Sequence, residues 1–434
     1  MKITSDFLNR ILKSQPGQED FLPKFKQHSS KNVISLGGNH VAFALRLEGT
    51  QFEGVNDSTI VSQYLHLNKA LSMFGKDKGS RLGLWCTLHH KKVDFSRRYE
   101  FSTKFTREFH EKYMERFQRD DYYENIYYIT AVLKYEDIDD AIEEAEELIE
   151  KMTESLRTYD PYVLGAYQNE NGILFSEFYD FIGSLINGNS EPIPLSNTDA
   201  FRVIPAADLH FGAELLEMRG AGRTRYATLY DLKEFGQTKM KVLNNILSIP
   251  CEFVFTQSFV YIGQAAMQKK IDDQLNKLRS VGDMADYQQE ELEEAKGHLA
   301  AGELMFGDYH GALVVSGDSP NKAYSNGQVA AARFLNSGGF RFVRATLSAP
   351  STFYSQVPGY TSKPRPIPKA TTNLAASFGM YNFEHGKSRG NALGDGSAVM
   401  PLQTVARTLY DFNFHYSKPD EVVPKGEYPA GHSL

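Results

Sequence analysis

The sequence predicts an α+β protein built from two tandem ferredoxin-like units, each a split β-α-β arrangement with a helical insertion. Two observations predict this fold class. Segments with alternating apolar residues, typical of strands, are interspersed with segments whose apolar residues recur every three or four positions, typical of helices. The order strand–helix–strand, inserted helix, strand–helix–strand occurs twice along the 434 residues, which favours ferredoxin-like sheets with helices on one face.

The first unit is predicted within residues 1–195. Alternating apolar segments predict its strands, in chain order at 40–49, 81–95, 125–135 and 161–167. Helical periodicity predicts its helices, at 58–74, 103–118 and 137–156. Asp57 or Ser58 is a suitable N-cap for the first helix. The third helix is strongly acidic away from its apolar seam, which is typical of a solvated surface; a cation site or a partner-docking face is the alternative.

The second unit is predicted within residues 196–347 and repeats this order. It begins with a hairpin at 213–232 that turns around Gly220-Ala221-Gly222. The further strands are predicted at 251–262, 303–317 and 340–347. The helices that separate them are predicted at 238–247 and 319–337.

A helical insertion at 264–301 interrupts the second unit. It is expected to form two antiparallel helices of about 16 residues, each about 25 Å long, separated at Gly282. The first helix carries an apolar stripe, formed by Met267, Ile271, Leu275 and Leu278. A projecting hairpin would make this stripe a candidate interface between subunits; the alternative is that the stripe packs on its own sheet.

The remaining residues change in character. Residues 348–375 are rich in proline and are predicted to form an extended connector. Residues 376–434 are predicted to contain the first strands of a further domain. The chain then ends with Ala-Gly-His-Ser-Leu, which resembles the start of a buried strand.

Composition narrows the classes of function. The net charge of −7 and a pI of about 6 argue against direct nucleic-acid binding over the whole surface. Cys86 and Cys251 lie in apolar, strand-like contexts and are expected to be buried free thiols in a reducing compartment. No run approaches the roughly 18 apolar residues of a membrane span. We therefore expect a cytosolic protein, or one that lies on a membrane through a partner.

No segment has the pattern of a catalytic, cofactor-binding or metal site. Gly386-Lys387-Ser388 resembles the end of a P-loop, but the first glycine that this motif needs falls at Tyr381. The glycine-rich turns at 220–225 and 390–396 lack the strand–helix frame of a dinucleotide site, and the histidines form no HExxH motif. The sequence therefore predicts none of these sites in this chain.

The C-terminal residues 377–434 resemble the segment that precedes the P-loop in the large inner-membrane ATPases of type IV secretion and conjugation systems. This is the family of CagE, TrbE and the fourth VirB component. In that family a Gly-Asn-x-x-Gly turn leads to a Phe-Asn-Phe-His strand, and a later Gly-His-Thr/Ser-Leu strand runs into the P-loop. The matching residues are Gly390, Asn391, Gly394, Phe412, Asn413, Phe414, His415, Gly431, His432, Ser433 and Leu434.

Two upstream segments, 253–259 and 305–317, are similar to family segments as well. One departure is Ala392-Leu393, where the family often has Pro-Trp. The resemblance covers the C-terminal half of the chain, and the N-terminal half by the order of elements.

The resemblance implies the docking and oligomerisation region of a secretion ATPase that energises pilus assembly and transfer of DNA or protein. ATP and Mg²⁺ would be bound by a domain expected to follow Leu434. The family implies a hexameric ring, peripheral to the cytoplasmic side of the inner membrane. Its implied partners are inner-membrane subunits of the secretion complex and other secretion ATPases, and no nucleic acid is expected for this region. The alternative from a different class is a stand-alone scaffold or adaptor protein without nucleotide chemistry.

A calorimetric titration of the 434-residue chain with Mg-ATP is expected to give no binding heat, because its sequence contains no P-loop. Micromolar affinity would contradict this expectation and would point first to Gly386-Lys387-Ser388.

Overall fold

The fold was analysed in a computed structural model of the chain. The structure describes residues 18–93, 99, 101–117, 121–189, 191–236, 243–281, 286–388, 391, 396–404 and 408–415.

The first half of the chain alternates short strands with helices. Its helices are α1 (Gln18–Phe21), α2 (Asp57–Lys78), α3 (Lys104–Glu115), α4 (Ile138–Ser155), α5 (Glu177–Asn187) and α6 (Ala200–Val203). Its strands are β1 (Phe25–His28), β2 (Ile34–Leu36), β3 (His40–Leu47), β4 (Thr50–Gln51), β5 (Leu82–Lys92), β6 (Tyr123–Lys134), β7 (Pro161–Val163), β8 (Ala166–Gln168) and β9 (Leu174–Ser176).

The second half also combines strands with helices. Its helices are α7 (Gln264–Val281), α8 (Asp286–Ala301), α9 (Pro320–Gly338), α10 (Ala349–Ser355) and α11 (Thr371–Ser377). Its strands are β10 (Asp208–Phe211), β11 (Leu216–Gly220), β12 (Arg223–Phe235), β13 (Phe253–Tyr261), β14 (Phe306–Gly317), β15 (Phe340–Arg344), β16 (Ile367–Ala370), β17 (Tyr381–Asn382), β18 (Met400–Gln403) and β19 (Leu409–Phe412).

One large antiparallel sheet runs through the described part of the chain. Its order is β1-β2-β3-β6-β5-β13-β14-β12-β11-β10, with β7 paired to β3, β15 to β12 and β16 to β14. The prediction of an α+β fold is therefore confirmed. The two halves share this sheet, since β5 of the first half pairs with β13 of the second from Gly83–Val260 to His90–Phe253.

The sheet is covered on both faces. Along β3, Phe43 and Leu45 belong to one hydrophobic core, while Ala42 and Ala44 belong to another, because successive side chains of a strand point to opposite faces. Helices α2, α4, α7, α9 and α11 contribute to the first core, and α5 and α10 contribute to the second. The prediction of helices on one face only was therefore wrong: the described elements form a three-layer arrangement.

The N-cap of α2 differs from the prediction. Asn56, not Asp57 or Ser58, precedes the helix, and its side-chain oxygen accepts a hydrogen bond of 2.8 Å from the backbone N–H of Thr59. Asp57 then lies in the first turn, where its negative charge interacts favourably with the positive end of the helix dipole.

Residues 348–375 are an integral part of the fold, so the prediction of an extended connector was wrong. The segment contains α10, β16 and the start of α11. Phe353, Tyr354 and Val357 are buried in the second core. The proline content suggested an extended chain, but the apolar side chains between the prolines bury more surface when they pack on the sheet.

The insertion at 264–301 forms two helices, α7 and α8, and they run antiparallel as predicted. Gln264 at the start of α7 donates a hydrogen bond of 3.0 Å to the Leu299 carbonyl near the end of α8. Near the other end, Arg279 and Glu293 form a 2.7 Å ion pair. Gly282, the predicted hinge, lies outside the described residues.

The apolar stripe of α7 faces its own sheet. Met267, Ile271 and Leu275 are 7, 1 and 4% exposed and belong to the first core, while Leu278 is half-buried. This is the core packing that stood as the alternative to a subunit interface. An interface needs accessible side chains, so we do not assign these three residues to one.

Both cysteines are buried free thiols, as predicted. Burial raises the pKa of Cys251 to about 12, and burial raises the pKa of Cys86 as well. Among the described helices, none has the length and apolar character needed to cross a bilayer.

The substitution Leu275→Asp is expected to lower the free energy of unfolding by about 3 kcal/mol or more, because it buries a charge in the core. The matched change Leu278→Asp, one turn further along α7, is expected to cost about 1 kcal/mol or less because that side chain reaches solvent. Denaturant unfolding followed by circular dichroism measures both. Equal effects of the two changes would contradict this assignment of the stripe.

Candidate functional site at the C-terminal cleft

A cleft of about 350 Å³ lies where the C-terminal segment meets the first half of the sheet. We call it the C-terminal cleft. One wall comes from the end of β3 (Arg46, Glu48) and the start of β6 (123–126). The other wall comes from residues 382–388 and from β19. The cleft thus joins residues that are more than 300 positions apart in the sequence.

A parallel strand pair holds the C-terminal segment in this position. β17 pairs with β4, with Tyr381 opposite Thr50 and Asn382 opposite Gln51. The hydroxyl of Tyr127 donates a 2.5 Å hydrogen bond to the Tyr381 carbonyl from the adjacent strand β6. Apolar packing adds to these bonds, because Tyr381 is 2% exposed.

Asn382 is the centre of a buried polar network. Its amide nitrogen donates to the carbonyl of Glu48 at 2.7 Å and to that of Asn125 at 2.9 Å. Asn125 in turn contacts the ring Nδ1 of His90 at 2.7 Å, and Nε2 of that ring lies 2.8 Å from the Ile249 carbonyl. The network therefore connects the C-terminal segment with Glu48 just after β3, with β5 and β6, and with Ile249 just after the 3₁₀ turn at 244–248.

The second half of the sheet holds the same segment through Gln257 of β13. Its amide nitrogen donates a 3.1 Å hydrogen bond to the Ser377 carbonyl, while its oxygen accepts from the hydroxyls of Ser377 and Tyr309. Gln257 is fully buried, so these bonds replace the water it would otherwise need. The C-terminal segment is thus hydrogen-bonded to both halves of the sheet.

Ion pairs line the mouth of the cleft. Glu48 lies 3.3 Å from His385 and 2.9 Å from Arg46. The hydrogen bond from His385 lowers the pKa of Glu48 to about 2, with Arg46 adding to the effect against the opposing influence of burial. The same hydrogen bond raises the pKa of His385. Lys387 lies 3.6 Å from Asp160 across the cleft.

The turn at 385–387 requires its glycine. Gly386 has φ +65°, and a Cβ atom there would lie 2.1 Å from the carbonyl oxygen of Asp411. This close approach lets the backbone of Asp411 donate to the His385 carbonyl at 2.8 Å and accept from the Lys387 N–H at 3.2 Å. Gly386 is therefore needed for the close backbone contact between this turn and β19.

This geometry is unlike a phosphate site. The N–H of Lys387, which a P-loop would direct at phosphate, is bonded to Asp411. The lining also carries five acidic residues against three basic ones, and this balance disfavours an anionic ligand; the acidic residues are Glu48, Glu124, Asp160, Glu384 and Asp411, and the basic ones are Arg46, His385 and Lys387. The arrangement is instead suited to holding the C-terminal segment against the first half of the sheet.

The family-motif residues are partly described. Asn413 is 1% exposed and donates a 2.6 Å hydrogen bond to the Lys387 carbonyl, so the Phe-Asn-Phe-His segment is bonded to the turn at 385–387. Phe412 contacts Phe414 edge to face, at 4.9 Å between ring centres. Asn391 and His415 are among the described residues but do not line the cleft. Gly390, Gly394, Gly431, His432, Ser433 and Leu434 lie outside the described residues.

Sequence reasoning missed Asn382, Asn125 and Gln257. Each lies in a strand that also carries buried apolar residues, and a polar residue among them was the available signal. A polar residue inside a buried strand needs a partner, but the sequence does not say which one.

Two family models match the chain. The model described as "CagE, TrbE, VirB family, component of type IV transporter system" matches residues 162–365. The model described as "Type IV secretion system ATPase VirB4/TrbE, N-terminal domain" matches residues 32–138. The class of protein is thus a component of type IV transporter systems. This chain belongs to the CagE, TrbE, VirB family.

Curated relatives agree. The chain is 27% identical over 431 residues to the type IV secretion system protein virB4 of Bartonella henselae, which covers 94% of this chain and 54% of that protein. It is 24% identical to virB4 of Brucella abortus, covering 92% and 51%, and 30% identical to the PtlC homolog of Bordetella bronchiseptica, covering 60% and 31%. The chain spans about half the length of the virB4 relatives it matches.

Asn382→Ala is expected to lower the free energy of unfolding by about 2–3 kcal/mol, because it removes the side-chain donor to the Glu48 and Asn125 carbonyls and one of the two acceptors of the buried Asn125 amide. The exposed Asn189 is the matched control, and its change to Ala is expected to cost less than about 0.5 kcal/mol. Denaturant unfolding measures both, and a cost for Asn382→Ala no larger than the control would contradict the network's role.

The ion pair between Glu48 and His385 predicts how the free energy of unfolding depends on pH. His385 has a raised pKa, so its contribution is complete below its ordinary pKa of 6.5 and is lost as pH rises through the folded value. Glu48 has a lowered pKa, so its contribution is complete above 4.5 and is lost as pH falls toward 2. The stability difference between the wild type and His385→Gln should therefore be largest between pH 4.5 and 6.5. A difference that does not vary from pH 5 to 9 would contradict the pairing.

Proposed function

We propose that this chain is the docking and oligomerisation region of a type IV secretion ATPase, and that it is not itself catalytic. The match to a family model described as the N-terminal domain of a type IV secretion system ATPase supports the assignment to such an ATPase. In this proposal ATP and Mg²⁺ are held by a nucleotide-binding domain outside these residues, and that domain energises pilus assembly and transfer of DNA or protein.

The observation that carries the proposal is the double attachment of the C-terminal segment. Asn382 bonds this segment to the first half of the sheet, and Gln257 bonds it to the second half. Because the segment is bonded to both halves of the sheet, it keeps a fixed position relative to the sheet and does not move freely as a flexible linker would. A docking region needs this property, because an anchored sheet can then orient whatever is attached to the segment.

We further propose that each half of the sheet is a ferredoxin-like unit. The first half has the order β7-β3-β6-β5, and the second has β15-β12-β14-β13. Numbered along the chain, both orders read 4-1-3-2, with helices connecting strands 1 to 2 and 3 to 4 in the first unit. Helix α3 and the α7–α8 hairpin are then equivalent insertions between strands 2 and 3.

Helix α3 is the surface that we propose for self-association in place of the α7 stripe. The helix contributes no buried residue, and Phe105 and Phe109 are 75 and 67% exposed on one face. The equivalent insertion in the second unit covers its own sheet with Met267 and Ile271, whereas these two phenylalanines remain available to a second copy. We place the assembly on the cytoplasmic side of the inner membrane, with inner-membrane subunits and other secretion ATPases as partners and no direct contact with nucleic acid.

The double change Phe105→Ser/Phe109→Ser tests the assembly. The wild-type chain is expected to self-associate in light scattering, and it is expected to co-purify with the inner-membrane complex when produced together with the other components of its secretion system. The double variant should fold normally by circular dichroism but lose at least about tenfold in self-association affinity, because two exposed aromatic anchors are removed.

The control is Val329→Ser/Leu335→Ser, which alters two half-exposed apolar residues of α9 outside α3. It should leave association unchanged. A wild-type chain that stays monomeric at every concentration and is absent from the membrane complex would contradict the docking proposal and would favour a free-standing adaptor.

A further inference from the structure

A second cavity, of about 580 Å³, opens at the opposite end of the strands from the C-terminal cleft. Its walls come from both halves of the sheet: the 37–40 turn, the starts of β5 and β14, the ends of β6 and β13, and residues 359–366. Its apolar lining includes Leu36, Leu82, Trp85, Val132, Val260 and Tyr360. The volume and the mixed lining are those of pockets that bind small organic molecules.

Lys363 lies on the aromatic floor of this cavity. Its ammonium is 4.6 Å from the ring centre of Trp85, and Trp85 is held by a 3.2 Å hydrogen bond from its indole N–H to the Ser355 carbonyl. Burial lowers the pKa of Lys363 to about 8, although the charge of Asp308 opposes the shift. Within the described part of the chain, the ammonium has no hydrogen-bonded partner.

The cavity is basic although the protein is acidic. Its lining has one acidic residue, Asp308, against five basic ones: Lys24, His40, Arg81, Lys134 and Lys363. Two of these cations are already engaged, Arg81 by Glu144 at 2.6 Å and Lys24 by the ring of Phe201 at 4.5 Å. Lys363 is the cation that lies at the apolar floor, where a charge is costly without a partner.

We propose that this cavity binds a small organic carboxylate, whose carboxylate group pairs with Lys363 and whose apolar body lies against Val132 and Val260. A single anionic charge matches the ammonium of Lys363, which is half-buried beside Trp85. The apolar wall supplies the remaining contact area, and pairing of the ligand with Lys363 supplies the orientation.

The test uses benzoate as the carboxylate probe and benzamide as its neutral isostere, both titrated into the 434-residue chain by NMR or calorimetry at pH 7. Benzoate is expected to bind one-to-one, at least about tenfold more tightly than benzamide, which corresponds to about 1.4 kcal/mol. Lys363→Met should remove this preference. Benzoate affinity should also fall as the pH rises above 8, since the ammonium then loses its proton.

Lys369→Met is the matched control. Lys369 also lies over an aromatic ring, that of Phe235 at 5.1 Å, and burial also lowers its pKa, but it does not line the cavity. Retained benzoate binding in this variant and its loss in Lys363→Met would support the site, given unchanged circular dichroism. Equal affinity for benzoate and benzamide, wild-type benzoate binding by Lys363→Met, or tighter Lys363-dependent binding of phenyl phosphate would overturn it.

Discussion

The pairing of β5 with β13 is the constraint on which the rest of this structure depends. Each strand is the edge of its own group of four, and an unpaired edge would expose a row of backbone donors and acceptors. Their antiparallel ladder removes both edges at once. In its middle Thr87 and Thr256 face each other, with their hydroxyl oxygens 3.1 Å apart, so even the polar side chains at this seam are satisfied inside the sheet.

The seam also determines where the C-terminal segment can lie. Gln257 follows Thr256 on β13 and is buried, so it needs a partner, which the backbone and hydroxyl of Ser377 provide. Five residues further along, Asn382 bonds to Glu48, which follows β3, and to Asn125 of β6. Both sets of bonds are formed only if the two halves keep the spacing that the β5–β13 ladder gives them. The polar network thus makes the position of the segment specific, whereas the apolar contacts around it are less directional.

Local elements followed closely from the sequence, and long-range relations did not. The strands β3, β5, β13 and β14 lie within the segments predicted from alternation, and β6 begins two residues before its predicted segment. The helices α7 and α8 follow the predicted antiparallel course. The predictions were wrong where the same residues were compatible with two different local structures. Residues 348–375 combine prolines with large apolar side chains, and packing outweighed the extended preference of the prolines. At α2, the prediction considered Asp57 and Ser58, but the side chain that accepts a hydrogen bond from the Thr59 N–H is that of Asn56.

The sequence by itself determined the secondary-structure order, the α+β class and the motifs by which the chain resembles its family, because these are properties of short stretches. Only the tertiary structure decided that the two halves share one sheet and that Met267, Ile271 and Leu275 face the core. It also decided that Asn125, Asn382 and Gln257 form the hydrogen bonds that hold the C-terminal segment on the sheet. The physical reason is that backbone hydrogen bonds are nearly the same for every strand. Which edges meet, and which polar residue finds which partner, therefore depends on the packing of the whole chain.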